Sequence, residues 1–429
     1  MMANEMQHSV LGIPGTGETA GIAETSGSEL ARSWPVVVAS AIGVGFGVTG
    51  MGFYAAGQFI RPLTQAFGWS RAAVSAGVLC LLLGTVITAP VVGRIVDRVG
   101  VRRIALVSMV GVALGFVGLA LNPGSLPIFY ATWFLVSVLG CGTTPLIWTR
   151  AVNSWFDRQR GIALGLTLGG TGLAGLLVPL LLSRLIAASG WRAGFLAMAA
   201  ATVLIGLPCV WLWFRERREV FIPLASDLPA LPPVNAGLSL RQAAGGTIFW
   251  RLLIGMFLIA AVVAGLIVHL VPLLVDRGMS VPAAGEWASL VGMSVIIGRV
   301  GVGALLDRLN PALVSGLFLI LPAGACLLLA DHQSALLATV LIGLSAGAEI
   351  DLLAYLASRC FGLRSYAEIY GWLLSAFSLG GGTGPILAGR VHDLTGSYQA
   401  ALSGGVIMTI IGAALIGSIR TPRLSVTGN

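Results

Sequence analysis

Between residues 34 and 419 this chain repeats one pattern: about 20 apolar residues in a row, a short polar joint, then the same again. About 20 residues rising 1.5 Å each reach across a hydrocarbon layer of about 30 Å. A helix also satisfies its own backbone hydrogen bonds, which lipid cannot do. Of the 429 residues, 56% are hydrophobic and 10% charged. That is too little charge to cover a water-soluble globule of this size. The pattern predicts an all-α polytopic membrane protein.

Twelve spans can be drawn: 34–58, 72–92, 104–121, 127–149, 161–187 and 191–214, then 248–275, 284–305, 312–330, 334–358, 369–390 and 396–419. Between the two sets lies "RERREVFIPLASDLPALPPVNAGLSLRQ", charged and then proline-rich. The expected organisation is therefore a polar cytosolic tail (1–33), a six-helix half (34–214), a cytosolic central loop (215–247), a second six-helix half (248–419) and a short cytosolic tail (420–429). The first 33 residues are Gly/Ser/Thr-rich and acidic, which predicts a disordered tail rather than a secretory signal.

All basic side chains other than histidine are arginine. Joints on the side of the termini hold roughly three times as many arginines as the opposite joints, which by the positive-inside rule puts both termini in the cytosol. The net charge of +8 thus reports orientation and not nucleic-acid binding. Five cysteines fall singly in apolar runs with no CxxC, so they read as packing residues. There is no phosphate loop, metal cluster or nucleophile–base pair to suggest an enzyme, a cofactor or a primary pump.

An internal repeat relates the halves. At an offset of 210, Pro62 matches Pro272, Gly68 matches Gly278 and Ser70 matches Ser280; Gly93, Asp97 and Arg98 match Gly303, Asp307 and Arg308. At an offset of 205, Phe156 matches Phe361. In repeat-built carriers the ligand site lies near mid-membrane between the halves.

Polar residues inside spans are the candidates for chemistry. Arg299 lies eight residues before Asp307, roughly 12 Å inward from the joint. An arginine at that depth faces a cavity or pairs with an acid, and its planar fork suits a carboxylate. Asp351 is the acid with which it could pair. Two acids sit in "GAEIDLLAY", and residues two apart in a helix point about 200° apart. Asp351 shares a polar stripe with Tyr355 and Ser358, and its counterpart in span four is Leu146, Arg150 and Asn153. Glu349 shares an apolar face with Ser345, Leu352, Leu353 and Leu356, a dry setting suited to a carboxyl that exchanges a proton. An acid at helix centre costs about 2.5–3.5 kcal/mol on insertion, against about 0.3–0.6 returned by each apolar neighbour. His269, just before Pro272, has the ordinary titration range for proton transfer, though a helix–helix hydrogen bond is the commoner use of such a residue. Pro272 should loosen its helix at an outer gate, with Pro62 as its twin. Glycine clusters at 161–175 and 378–389 fit close helix packing, or a surface that slides during alternating access.

"GRIVDRVGVRR" (93–103) matches the G-x-x-x-D-R-x-G-x-R-R signature of the major facilitator superfamily, which the chain resembles; "GALLDR" (303–308) is a shorter copy. The resemblance implies a twelve-helix fold and a cytoplasmic gate built from Gly93, Asp97, Arg98, Gly100, Arg102, Arg103, Asp307 and Arg308. Gly93 would admit close helix approach, and Asp97 would sit at a positive helix N-terminus.

Within that superfamily, "FGWSRAAVS" (67–75), "NSWFDRQRGIALGLTLGGTG" (153–172), "HLVPLLVDRGMS" (269–280) and "GAEIDLLAYLASRCFGLR" (347–364) resemble the monocarboxylate transporter family, especially its bacterial branch. The family carries lactate, pyruvate and related anions, and its span-eight arginine, thought to bind substrate, falls on Arg299. There are departures. Tyr54 stands near the basic residue that animal members carry in span one, Val295 stands where they carry an acid, and span eleven has no basic residue before Arg390. The expectation is a proton-coupled carrier of a small organic monocarboxylate in the bacterial cytoplasmic membrane, working as a monomer. Its partners would be the anion, protons and the lipid bilayer, without cofactor, metal or nucleic acid. Arg299, Asp351, Tyr355, Tyr54 and Arg150 would bind substrate, and Glu349, Asp351 or His269 would carry the proton. An exporter of drugs or organic cations, held by the two acids, is the alternative.

Overall fold

Among the described residues of the protein, seen in a computed structural model, ten segments are long and apolar enough to cross a membrane. The structure describes residues 29–153, 155–156, 160–215, 237–306, 309–331, 334–362 and 365–419. One of the ten runs from Ile162 to Trp213 and is a hairpin of two passes. It folds back at Gly190, whose φ of 81° lies in the left-handed region that glycine enters without a Cβ clash. Counting both arms and adding α15 (Tyr366–Thr395), 30 residues long, gives twelve membrane-length passes.

The first pass is α1 (Glu29–Gly45), a π-helical turn (Val48–Gly52) and α2 (Phe53–Phe67). The next are α3 (Arg71–Val99) and α4 (Val101–Ala120), followed by α5 (Leu126–Gly140) with α6 (Pro145–Asn153). The hairpin comprises α7 (Arg160–Ala201) and α8 (Leu207–Trp213). After the short α9 (Leu240–Ala244) come α10 (Thr247–Asp276) and α11 (Val281–Leu306), then α12 (Pro311–Leu319) with α13 (Leu321–Ala330). The last are α14 (Ala335–Phe361), α15 and α16 (Gln399–Gly417). Leu166, Leu173, Leu177 and Leu181 are exposed at near-helical spacing on α7. Such a stripe would be a liability in water and is ordinary against lipid.

Each half packs largely within itself, and the halves meet through α7 against α11, α3 against α15 and α2 against α10. The glycine clusters make these contacts close. A Cβ on Gly382 would come 2.5 Å from Leu79 Cδ1, and one on Gly389 would come 2.7 Å from Ala72 N, both across the α3–α15 seam. Gly172 and Gly175 face Ile296 and Gly292 across the α7–α11 seam. At these seams close packing is observed.

Three local features differ from the sequence-based outline. First, α1 begins at Glu29, inside the stretch assigned to the tail, where Leu30 packs on Val37, Val152 and Phe156. Second, the central connection is structured from residue 237. Ser239 and Gln242 form a reciprocal capping box on α9, Leu238 N donates to Phe361 O at 2.8 Å, and Ala243 is buried in the core of the second half. Third, α10 passes through Pro272 without a break. The carbonyl that Pro272 deprives of a helical donor is that of Val268, and Gly57 of α2 lies hard against it. Packing holds the helix where propensity alone would loosen it.

Gly100, where α3 meets α4, has φ 94°. With ψ at 149° this is a backbone region essentially reserved for glycine, and a side chain there is disfavoured by roughly 1–3 kcal/mol, so Gly100→Ala should lower the unfolding temperature of the purified protein. An unchanged temperature would show that the joint relaxes. Arg102 donates to Trp211 O at 2.6 Å and so ties α4 to α8, while Arg103 is exposed. Asp307 and Arg308 lie outside the described residues, as do the side chains of Asp97 and Arg98 and residues 1–28, 216–236 and 420–429.

Candidate transport site and outer lock

Two polar clusters occupy the seam between the halves. The first lies inside two membrane-length helices, where α11 and α14 are in backbone contact. A Cβ on Gly347 would collide with Val295 O and come 2.9 Å from Arg299 N, and Gly298 lies equally close to Leu344. These missing side chains bring Arg299 beside Asp351 of α14. Arg299 Nε is 3.4 Å from Asp351 Oδ2, and the two side chains are 12% and 31% exposed. The contact is an ion pair of poor angle, because Arg299 Nε is buried without a hydrogen bond. A fork with five donors is therefore held at one edge by its acid and has capacity for a second carboxylate.

Glu349 is 3% exposed, and its Oε1 has no hydrogen-bond partner. Ser345, one turn earlier and fully buried, stands next to the Glu349 carboxyl but makes no well-formed hydrogen bond through its Oγ. Leaving such groups unpaired in a dry setting costs about 1–3 kcal/mol each. Tyr54 on α2 completes the cluster, within electrostatic range of both Arg299 and Glu349. Its ring lies over Gly175 of α7, where a Cβ would come 3.0 Å from the ring edge. Three passes from both halves thus meet here: α2, α11 and α14. Asp351, Tyr355 and Ser358 are half-buried along one stripe of α14, while Glu349, Leu352, Leu353 and Leu356 are buried on the other. Tyr355 stands a turn further along, its hydroxyl accepting from Arg359 Nε at 3.2 Å. The Arg150 side chain lies outside the described residues.

The second cluster closes the end of the bundle opposite the 93–103 joint. Arg71, at the start of α3, forms a two-pronged pair with Asp276 at the end of α10: Nη1 to Oδ2 at 2.6 Å and Nη2 to Oδ1 at 2.9 Å. Asp393 of α15 accepts from the backbone N–H groups of Arg71 and Ala72, both at 3.0 Å. A carboxylate of one half thereby caps the positive N-terminus of a helix in the other. Arg61 and His392 also approach Asp276, at 3.9 and 3.4 Å. Tyr398, between α15 and α16, accepts from Arg71 Nη1 at 2.8 Å. Burial pushes its phenol above the ordinary value, with Arg71 opposing, so it remains a hydroxyl.

His269 belongs to this second cluster and not to the first. Its ring contacts Ser75, Pro385 O and the Tyr398 hydroxyl. Arg61, seven residues along α2 from Tyr54, marks the separation of the clusters as about 10 Å along the helix axis. Arg71, Asp276, Asp393 and Tyr398 were not singled out from the sequence. Arg71 and Asp276 stand at span ends, where charges are ordinary, and their partners are more than 200 residues away. Arg184 and Glu286 make one further link between α7 and α11, exposed and hence of small worth.

A twelve-pass bundle in two halves, with paired signature joints, is the frame in which the comparisons with known proteins fall. Residues 42–385 match the family model described as Major Facilitator Superfamily. The chain belongs to the major facilitator superfamily. Among its relatives, human "Monocarboxylate transporter 11" is 28% identical over 350 residues, covering 75% of this chain and 69% of that protein. The "Uncharacterized MFS-type transporter YcxA" of Bacillus subtilis is 26% identical, covering 83% and 88%. Among solved structures, a bacterial homologue of the human lysosomal transporter Spinster, inward-facing and unoccupied, superimposes with a TM-score of 0.70 at 19% identity over 91% of this chain and 97% of that one. That likeness concerns the fold. This superfamily member is a multi-pass membrane transporter, and a transporter's reaction is movement of a solute, not bond chemistry.

Proposed function

We propose that this transporter moves a small organic monocarboxylate together with a proton by alternating access, with both termini in the cytosol of a bacterial cell and the Arg71–Asp276 end outside. One observation carries the reading: an arginine inside a membrane-length helix is held by a single edge, and Tyr54 links it to a buried carboxyl, that of Glu349, whose Oε1 has no hydrogen-bond partner. The substrate carboxylate takes the free donors of Arg299, with Tyr54 opposite and Asp351 keeping the guanidinium in place. Glu349 carries the proton. An anion that crosses with a proton crosses as a neutral package, which avoids about 2.3 kcal/mol per charge per 100 mV of membrane potential. The similarity to proteins named monocarboxylate transporters supports the substrate class.

Glu349→Gln separates coupling from binding. In proteoliposomes the variant is expected to lose uptake driven by external acidification, while exchange of preloaded for external monocarboxylate continues. Acid-driven uptake at the wild-type rate would remove Glu349 from coupling. A second reading rests on the same cluster: two acids against one arginine leave a surplus negative charge when both are ionised, which suits an organic cation. Transport of a labelled quaternary amine, with none of lactate or pyruvate, would select it.

A further inference from the structure

His269 sits in a chain of hydrogen bonds whose directions can be assigned. Pro385 O can only accept, so the ring nitrogen 2.8 Å from it, Nε2, carries the hydrogen. Ser75 Oγ, 3.1 Å from the same nitrogen, is a second neighbour. In the neutral ring Nδ1 is then an acceptor, and Tyr398 donates its hydroxyl hydrogen to it over 2.8 Å. Tyr398 in turn accepts from Arg71 Nη1. The order is Arg71 to Tyr398 to His269 to Pro385, and it joins α3 of one half to α10 and α15 of the other. The step from Tyr398 to His269 requires a neutral imidazole.

A proton on Nδ1 turns that nitrogen into a donor. Tyr398 would then face two donors, and its own hydroxyl hydrogen would have to find a new acceptor. The added charge would also lie in a buried site near Arg71. Among the described residues the charges acting on His269 are Arg71 from α3 and His392 and Asp393 from α15, with Asp276 and Arg61 one contact further out. The other helices packed on α10, namely α9, α11, α13, α14 and α16, add none to that set. Asp393 is occupied by the N–H groups of α3 and Asp276 by Arg71, so no free carboxylate stands ready to receive the imidazolium. In an opened end, water would take that part. Proton binding at His269 is therefore linked to opening.

The geometry points to His269 as a proton-operated release for the outer lock: neutral, it holds the Arg71–Asp276–Tyr398 closure, and protonated from the external solution, it opens the transporter outward. Acid on the side that supplies the coupling proton would then also favour the state that receives it. The outward sense rests on the orientation proposed above; the lock itself does not. His392 has the opposite sign. Charged, it would strengthen its contact with Asp276 and favour closure.

The test uses spin labels at Ala66→Cys and Gln399→Cys, exposed positions on the two halves at this end, with the native cysteines replaced. Distances are read in liposomes without substrate at about pH 7.5 and about pH 5, either side of the ordinary histidine range. The wild-type lock should shift to a longer separation at the lower pH. His269→Gln offers an N–H to Pro385 and an oxygen to Tyr398 but cannot take up a proton, so its separation should stay short at both. Tyr398→Phe cuts the chain without touching His269 and should lengthen the separation already at the higher pH, which keeps the idea testable if the glutamine variant fails to fold. His392→Gln should retain the wild-type shift. A separation indifferent to pH in the wild type would overturn the proposal, as would a full shift in His269→Gln or loss of the shift in His392→Gln alone. Because no substrate is present, a working lock combined with absent monocarboxylate uptake would sink only the carrier reading.

Discussion

Arg299→Gln should reduce monocarboxylate uptake by at least about 30-fold, the effect of about 2 kcal/mol or more for truncating one partner of a buried charge pair. Loss of uptake alone would not show that Arg299 touches substrate, because the change also leaves Asp351 without its cation. The double variant Arg299→Gln/Asp351→Asn distinguishes the two. If Arg299 serves only to neutralise Asp351, removing both charges restores transport. If its free donors receive the substrate carboxylate, the double variant remains inactive although its thermal stability recovers. The latter is expected, since Asp351 engages only one edge of the fork. Recovery of uptake in the double variant would move the anion site elsewhere in the seam.

The placement of the two acids of α14 on different faces was legible in the sequence. A turn of about 200° between residues two apart puts them on different faces, and the apolar residues beside Glu349 mark its face as the drier one. The passes were legible for a similar reason: lipid imposes length and hydrophobicity on each one separately. The outer lock was not. Its members come from four passes, and nothing local distinguishes an arginine that meets an aspartate 205 residues away from one that meets solvent. Arg71 and Asp276 even stood inside stretches quoted for family resemblance, without a pattern to pair them. His269 shows the limit from the other side. Its residue type suggested proton chemistry, but only the fold could place it by Tyr398, remote from the Arg299 cluster. The capping box of α9 was written locally, as a serine followed three residues later by glutamine, yet it lay in a stretch whose prolines and charges argued for an open loop.

Gly292→Val should be among the most damaging substitutions in the transporter, although the residue is neither polar nor near either charged cluster's hydrogen bonds. A Cβ there would be driven into the backbone of α7, against Leu176 N, Gly175 C and Gly172 O. Side-chain rotation cannot relieve a clash with backbone, so α11 would have to withdraw from α7, and these two helices form one of the three seams between the halves. Overpacking a tight core costs about 1–3 kcal/mol when side chains can adjust. Here the cost should reach about 3 kcal/mol or more, an unfolding temperature lower by about 3 °C or more for a chain of this length. Gly316→Ala on α12 is the control: nothing lies within 4 Å of a Cβ there, and a glycine in a helix interior gains up to about 1 kcal/mol on becoming alanine. The contrast tests whether the glycines of this seam are spacers between moving halves or tolerated small residues. A Gly292→Val protein that unfolds and transports like the control would show that the seam has slack, and that the close α7–α11 contact is not needed to bring Tyr54 and Arg299 together.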